Sequence, residues 1–320
     1  MAFLACAVAA WSAVAAAAER QRVSFDSVTV DRLSIILDGS VRNAARVTIE
    51  AELTLPDGNG RVPAMVVAHG SGGVGRREAD WSQVLSEAGL AAFAFDSFTP
   101  RGVRETATGQ DRLPTWNNVL DALAALRFLA VHPRIDPDRI GVMGFSRGGS
   151  VALLTTFEPV RAAVVPATLR FAAHVALYPP CNLRYHAPPI TGAPIAFLLA
   201  ESDDYTPIAF CDGYIDWFRA RGADVTVRVY PGAYHGFDGP AAPRWRADID
   251  SFAACDVGFD IPTWTMQHQF GREPMTPRAQ RIYFESCRRR GATVGGDAAA
   301  TRQARADVLG FLRAHGVAPP

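Results

Sequence analysis

One segment near the middle of the chain constrains the fold more than any other. The run RIGVMGF is apolar after its arginine, as expected for a strand buried in a parallel sheet. It leads into Gly144-Phe145-Ser146-Arg147-Gly148, a G-x-S-x-G sequence, and the following RGGSVALLTTF has a helical pattern. A strand, a tight turn and a helix in this order expose a serine hydroxyl at a helix N-terminus. Ser146 is therefore the candidate nucleophile.

Strand and helix patterns alternate on both sides of this segment. MVVA, LAAFAFD, FAAHVALYPP, APIAFLLA and ADVTVRVY are predicted strands, and READWSQVLSEAG, TWNNVLDALAALRFLAVH, Pro207 to Arg221 and ATRQARADVLGFLRAHG are predicted helices. VTIEAELTLP alternates apolar and polar residues, which indicates a half-exposed antiparallel strand at the start of the sheet. The order predicts an α/β fold with a mostly parallel central sheet and helices on both faces, the α/β-hydrolase fold.

In that fold a carboxylate and then a histidine follow the serine, each after a later strand. His235 lies just beyond the strand VTVRVY, and we predict it to be the general base. Asp203 and Asp204 both follow the strand APIAFLLA. We favour Asp203 as the acid that orients the imidazole, and expect Asp204 to cap the helix near Pro207.

The other histidines fit structural positions better. His174 lies in the middle of a predicted strand and is expected to be a core residue. His69 lies in the turn after MVVA, and the remaining four occupy loops or helix ends: His132, His186, His268 and His315.

An oxyanion hole requires two backbone N–H groups. One is expected from Arg147, directly after the nucleophile. The other is expected from the glycine-rich turn after MVVA, at Ser71, with Gly70 or Gly72 as alternatives. The same turn could also be an ordinary tight turn, but its place after this strand favours a functional role.

Five segments, taken together, resemble the dienelactone hydrolase family in its exported bacterial branch: HGSGGVG, FDSFTPRGV, DPDRIGVMGFSRGG, ESDDYTP and YPGAYHGF. The resemblance spans about Val47 to Phe237 and includes the last helix. It implies an α/β-hydrolase that cleaves a small-molecule ester or lactone with a Ser/Cys–His–Asp triad. The acyl-transfer mechanism expected from these residues needs no cofactor. It also places the family's catalytic aspartate on Asp203 and its histidine on His235.

Two departures from the family pattern concern the substrate. Dienelactone hydrolase uses a cysteine nucleophile where this chain has Ser146, and a glutamate in the oxyanion turn where it has Gly70. Arg101 falls near a family arginine that binds a substrate carboxylate. An arginine there could clamp an anionic group, or form a structural ion pair with Asp96.

Charge and residue spacing exclude several other functions. The 32 basic and 32 acidic residues balance, and no basic stripe indicates nucleic acid or an anionic membrane surface. No C-x-x-C or H-x-x-x-H spacing indicates a metal site. The N-terminal run MAFLACAVAAWSAVAAAA predicts a signal peptide over residues 1–18, hence a periplasmic or secreted protein, with a buried helix as the alternative.

The mature chain is predicted to be one α/β-hydrolase domain, residues 19–320. It retains four cysteines, which fits two disulfides in an exported protein. The sequence does not fix their pairing, and we expect Cys181–Cys211 and Cys255–Cys287 because each pair is local. A stretch at about 240–295, here called the insertion, lacks clean periodicity. It is predicted to be a disulfide-tied surface excursion that either covers the site or has no functional role.

The predicted mechanism is serine hydrolysis of a carboxylic ester or lactone through an acyl-enzyme. An acetyl esterase or peptidase on the same fold is one alternative. A non-catalytic binding protein is another, against which the intact Ser–Asp–His set argues. The sequence leaves open the acyl and alcohol groups and the oligomeric state.

Overall fold

The computed structural model describes residues 18–320. These residues hold fourteen strands: β1 Glu19–Thr29, β2 Ala45–Leu55, β3 Val62–Ala68, β4 Ala91–Asp96, β5 Ile135–Phe145, β6 His174–Leu177, β7 Leu183–His186, β8 Ile195–Ala200, β9 Val225–Tyr230, β10 Arg244–Ser251, β11 Val257–Asp260, β12 Thr265–His268, β13 Gly271–Pro274 and β14 Arg289–Val294. They also hold eight α-helices: α1 Ser34–Leu37, α2 Arg76–Glu87, α3 Thr115–Ala130, α4 Arg147–Leu154, α5 Glu158–Val164, α6 Cys211–Arg219, α7 Pro277–Cys287 and α8 Ala298–Ala314. The predicted signal peptide lies outside this range, apart from residue 18.

The central sheet has eight strands in the order β1-β2-β4-β3-β5-β6-β8-β9. β1 pairs antiparallel with β2, and β2 antiparallel with β4. Every pair from β4 to β9 is parallel. The predicted mostly parallel sheet with antiparallel strands at its start is confirmed.

Helices cover both faces because the central strands are apolar on both sides. In β3, Ala64 and Val66 belong to the core cluster that includes α3 and α6, while Met65 and Val67 belong to the cluster that includes α2 and α8. Successive side chains on a strand point to opposite faces, so a continuous apolar run such as MVVA serves two cores. This arrangement brings the carboxyl ends of the parallel strands to one edge, where the loops carrying the candidate residues meet.

The insertion is more regular than its sequence pattern suggests. It contains an antiparallel ribbon of β10 and β14, helix α7, and the strands β11, β12 and β13. These three strands form a sheet in the order β13-β12-β11-β7, in which β7 comes from outside the insertion. Three of its strands are only four residues long, too short for a period-two pattern to stand out.

Both expected disulfide pairings are confirmed. Cys181 is bonded to Cys211, which joins the segment after β6 to α6. Cys255 is bonded to Cys287, which joins the loop before β11 to the end of α7. Among residues 18–320, no helix has the length and apolar character needed to cross a membrane.

Candidate active site

Ser146 occupies a strained turn between β5 and α4. Its backbone has φ 54° and ψ −114°, a region that residues with a side chain rarely adopt. The turn is held by a hydrogen bond from the Ser146 N–H to the Leu177 carbonyl oxygen, 2.9 Å. Strain of this kind persists only where the surrounding structure enforces it, and it is frequent at reactive sites.

The two flanking glycines are required by close backbone approaches. A Cβ atom at Gly144 would lie 2.1 Å from the Gly148 carbonyl oxygen. A Cβ atom at Gly148 would lie 2.0 Å from the Ala68 carbonyl oxygen, at the end of β3. Any side chain at either position would therefore push α4 away from β3 and β5, and with it the Ser146 turn.

The glycine-rich turn after β3 lies directly against the serine. A Cβ atom at Gly70 would be 3.7 Å from the Ser146 Cβ and 3.1 Å from the Phe145 carbonyl oxygen. In residues 18–320, neither the Ser71 N–H nor the Arg147 N–H donates a hydrogen bond to a protein acceptor. Gly72 faces open space, since a Cβ atom there would meet no atom within 4 Å. The Gly70 and Gly72 N–H groups likewise donate to no protein acceptor in these residues, so each of the two turns that meet at Ser146 carries unpaired N–H donors, and Gly70 and Gly72 stay alternatives to Ser71.

His69 stabilises the conformation of this turn through both of its ring nitrogens. Its Nδ1 lies 2.8 Å from the Gly70 carbonyl oxygen, and its Nε2 accepts a hydrogen bond from the Ser97 N–H at 3.3 Å. The ring is fully buried, and this burial lowers the pKa of His69. His69 is thus a neutral residue that links the ends of β3 and β4.

His235 and Asp203 form a buried pair. His235 Nδ1 lies 2.8 Å from Asp203 Oδ2, and the side chains are 6% and 0% exposed. Because the carboxylate can only accept, the proton of the neutral ring lies on Nδ1 and Nε2 is free to act as a base. The remaining carboxylate oxygen, Oδ1, accepts the backbone N–H groups of Tyr205 at 2.8 Å and Thr206 at 2.7 Å.

Asp204 has a different partner. Its two oxygens accept the Thr293 N–H at 2.7 Å and the Thr293 hydroxyl at 2.8 Å. The expected cap of the following helix by Asp204 is therefore wrong, and Asp204 anchors β14 instead. Of the two adjacent aspartates, only Asp203 contacts His235.

Two tyrosine rings hold the imidazole from its sides. The rings of Tyr178 and Tyr205 lie 4.8 Å and 4.7 Å from the His235 ring, both edge-on. Burial raises the pKa of Tyr205 to about 12 and that of Tyr178 further, so both phenols are neutral. The ring of His235 is thereby restricted to one orientation.

The residue three positions after His235 anchors its loop. Asp238 accepts hydrogen bonds from Tyr178 Oη at 2.6 Å and Trp81 Nε1 at 2.7 Å, and its Oδ1 is 3.0 Å from Arg77 Nε. This network was not predicted, although an aspartate so close to the histidine, in His-Gly-Phe-Asp, was a usable signal. The network joins the loop that carries His235 and Asp238, here called the histidine loop, to α2 and to the end of β6.

The Arg147 side chain lies under the 105–113 loop. Its guanidinium contacts Asn118 Oδ1 at 3.3 Å, Thr106 Oγ1 at 3.3 Å, the side-chain and backbone oxygens of Gln110, and the Leu113 carbonyl oxygen. Within the described part of the chain it forms no ion pair with a carboxylate. This burial among neutral groups lowers the pKa of Arg147 to about 10.

Gln110 connects this loop to both sides of the site. Its Oε1 accepts the Ser71 hydroxyl at 3.0 Å, and its Nε2 donates to Tyr205 Oη at 3.0 Å. From the outer side, buried Asp250 of the insertion accepts the Gln110 N–H at 3.3 Å and donates its own N–H to the Ala107 carbonyl oxygen at 2.7 Å. The loop is therefore fastened to the glycine-rich turn and to the insertion together.

The insertion also contacts the histidine loop. The Gly295 N–H donates to the His235 carbonyl oxygen at 3.0 Å, and His235 forms a parallel bridge with Val294 at the end of β14. Together with the Asp204–Thr293 contacts, this places β14 against both loops that supply the buried pair.

Arg101 is bound by protein groups and has no donor left for a ligand. Its five hydrogen bonds go to Thr29 Oγ1, the Ser97 and Val28 carbonyl oxygens, and both oxygens of Asp121. A guanidinium has five N–H donors, so all are used by the protein. The ion-pair partner expected from sequence, Asp96, was wrong; Asp96 instead accepts the N–H groups of Phe98 and Thr99. The histidine expected in the core, His174, is fully buried as predicted.

The fold and the geometry around Ser146, Asp203 and His235 define the class of protein, an α/β-hydrolase. Comparison with known families gives the narrower group: the model of the dienelactone hydrolase family matches residues 49–267, more than half of the chain. The chain therefore belongs to the dienelactone hydrolase family. Membership places it among hydrolases of the ester- and lactone-cleaving class.

Individual relatives are distant. A Bradyrhizobium sp. protein named "Probable 2-oxo-3-(5-oxofuran-2-ylidene)propanoate lactonase" is 26% identical over 195 residues, covering 58% of this chain and 78% of the relative. Esterase 2 of Thermogutta terrifontis superposes with a TM-score of 0.54 at 15% identity, covering 92% and 96% of the two chains. A dienelactone hydrolase-like promiscuous phosphotriesterase from metagenomic libraries gives 0.52 at 15% identity, covering 94% and 99%. At this identity the two structures establish the fold alone.

Proposed function

We propose that the protein is a serine-dependent hydrolase of carboxylic esters or lactones that works through an acyl-enzyme. Ser146 is the nucleophile, His235 the general base and Asp203 the acid that orients it. The observation that carries the proposal is the backbone of Ser146, a non-glycine residue held at φ 54° at the start of α4. That conformation has a steric cost, and strain of this kind is concentrated at active sites and ligand contacts.

The proposed reaction has two steps. Ser146 Oγ attacks the ester carbonyl carbon while His235 Nε2 takes the hydroxyl proton, and the proton then passes to the departing alcohol. Water, deprotonated by the same nitrogen, attacks the acyl-enzyme and releases the carboxylic acid. In both steps the oxyanion is stabilised by the Ser71 and Arg147 N–H groups, near the N-terminus of α4.

Neither Arg101 nor Arg147 offers a free guanidinium to a substrate. Arg101 has no free donor, and the Arg147 guanidinium is buried under the 105–113 loop. We therefore propose no carboxylate clamp at Arg101, and the assay should begin with uncharged short-chain esters. We also propose residues 19–320 as one hydrolase domain, exported and periplasmic or secreted, a location consistent with its two disulfides.

The test uses a fluorophosphonate, since the Thermogutta terrifontis esterase 2 of the same fold is phosphoramylated by tabun. Intact mass after exposure to the reagent is measured beside hydrolysis of short-chain p-nitrophenyl esters. We expect one adduct and ester turnover in the wild type, both abolished by Ser146→Ala. Ser150→Ala, one turn further along α4, is the matched control and should retain both. An unlabelled and inactive wild type would favour a non-catalytic binding protein, and full activity in Ser146→Ala would reject the proposed nucleophile.

A further inference from the structure

We propose that Thr206 is a positioning residue of the catalytic pair, and that its hydroxyl stabilises the imidazolium form of His235 during the reaction. The inference rests on the proposed function, because it assigns a role to a neighbour of the proposed base. Thr206 Oγ1 lies 3.0 Å from His235 Nδ1 and 2.8 Å from Asp203 Oδ2. It is a side chain outside the triad that contacts both of these atoms.

The hydrogen-bonding capacity of the hydroxyl decides its role. It has one proton, and the acceptors within reach are Asp203 Oδ2 at 2.8 Å and the Tyr178 carbonyl oxygen at 3.1 Å. Hydrogen bonds to a carboxylate are shorter and stronger than those to a neutral carbonyl, so the proton belongs on Asp203. A lone pair of the same oxygen then faces the Nδ1–H of His235 and accepts a share of that hydrogen bond.

The backbone fixes this arrangement. The Thr206 N–H donates to Asp203 Oδ1 at 2.7 Å, so main chain and side chain of one residue hold both carboxylate oxygens. Thr206 is 7% exposed and Asp203 has no exposed side-chain surface. Water therefore does not compete for these contacts, and their electrostatic effect is larger than it would be at a surface.

The other groups that face the imidazole are few. The phenol rings of Tyr178 and Tyr205 flank it, and their hydroxyls donate elsewhere or accept from Gln110. Beyond Tyr178 lies the Arg77–Asp238 ion pair, in which opposite charges are 3.0 Å apart. Asp203 and Thr206 are thus the groups whose polar atoms reach Nδ1.

The sign of the predicted effect is set by the direct contact of Thr206 Oγ1 with His235 Nδ1, because the hydrogen bond from Thr206 to Asp203 acts on the ring only through the carboxylate. When His235 takes the serine proton, the ring becomes a cation, and an oxygen lone pair on its Nδ1–H lowers the energy of that state. Thr206→Val keeps the shape of the side chain and removes the oxygen. The imidazolium then loses an acceptor, so the ring deprotonates at lower pH and the transition state is less stabilised.

The experiment compares Thr206→Val with Thr206→Ser, which restores a hydroxyl, in pH profiles of kcat/KM on one p-nitrophenyl ester. We expect Thr206→Val to lower the plateau about tenfold, the effect of one hydrogen bond to a charged group. We also expect its acidic limb to move to lower pH, while Thr206→Ser stays within about twofold of wild type with an unmoved limb. Equal losses in both variants with an unmoved limb, or no loss in Thr206→Val, would overturn the proposal.

A second readout does not depend on turnover. In wild type and Thr206→Val, the histidine ring is titrated by NMR, with His235→Gln used to assign its signals. The Thr206→Val ring is expected to lose its proton at lower pH than the wild-type ring, and coincident titrations would refute the contact. If the wild type neither hydrolyses esters nor reacts with fluorophosphonate, the proposed function fails, but this comparison still decides the role of Thr206.

Discussion

The adjacent aspartates allow a strong test of the proposed triad. In Asp203→Asn, the Tyr205 and Thr206 N–H groups that bind Oδ1 would hold the amide oxygen in that position. The amide nitrogen must then take the place of Oδ2, which lies 2.8 Å from His235 Nδ1. An NH2 group there is a donor, so the ring must accept at Nδ1 and carry its proton on Nε2. That tautomer cannot act as the base for serine.

The size of the loss follows from this tautomer switch. A triad with a correctly placed but wrongly protonated histidine loses about 10⁴-fold in kcat. In transition-state terms this is about 5 kcal/mol. The measurement is kcat for a p-nitrophenyl ester together with a thermal melt, so that a folding defect is distinguished from a chemical one.

Asp204→Asn is the matched control. Among residues 18–320 its carboxylate binds only Thr293, so the variant should lose less than about tenfold in kcat. If Asp203→Asn retains more than a tenth of wild-type kcat, the assignment of the acid is wrong. If both variants lose the same factor, the damage reflects the loop as a whole and the tautomer argument fails.

Three further predictions concern the supporting structure. Gly148→Ala should destabilise the protein by about 3 kcal/mol or more in denaturant unfolding, because its Cβ would lie 2.0 Å from a β3 carbonyl oxygen; Gly72→Ala, which meets no atom within 4 Å, should be neutral. Burial lowers the pKa of His174 from 6.5 to about 4, so the unfolded chain takes up a proton that the folded one refuses. The unfolding free energy should therefore fall as pH drops from 6.5 towards 4, by about 3 kcal/mol from this residue, and a titration of His174→Asn with an equal slope would contradict this. Asp250→Asn should raise KM and lower stability by about 2 kcal/mol, because Arg288 and the 105–113 loop lose a buried charged acceptor; unchanged KM and melting temperature would refute this role of Asp250.

The sequence was sufficient to predict those elements whose residue pattern is local. The apolar runs of β3, β4 and β5 and the glycines around Ser146 follow from burial on two faces and from steric contact, so they could be identified without coordinates. The positions of Asp203 and His235 followed from chain order on the fold. The disulfide pairs could be suggested because each lies in one region.

Long-range side-chain partners could not be predicted in the same way. Arg101 pairs with Asp121 rather than Asp96 because the second turn of α3 lies beside the turn after β4, and no periodicity encodes that contact. The contact between Gln110 and Asp250 joins residues 140 positions apart. The strands of the insertion could not be predicted because three of them are four residues long, and β11 pairs with β7 from a distant part of the sequence.

The attachment of β14 has a consequence for protein engineering. Because this strand is fastened to Asp204 and to the carbonyl of His235, the insertion cannot be treated as a removable appendage. A minimal variant that deleted residues 240–295 would release both the loop that carries Asp203 and the histidine loop. The central sheet would remain, but Asp203 and His235 would no longer be aligned. Grafts that exchange the outer sheet and α7 while keeping β10 and β14 should instead yield folded hydrolases with altered substrate range.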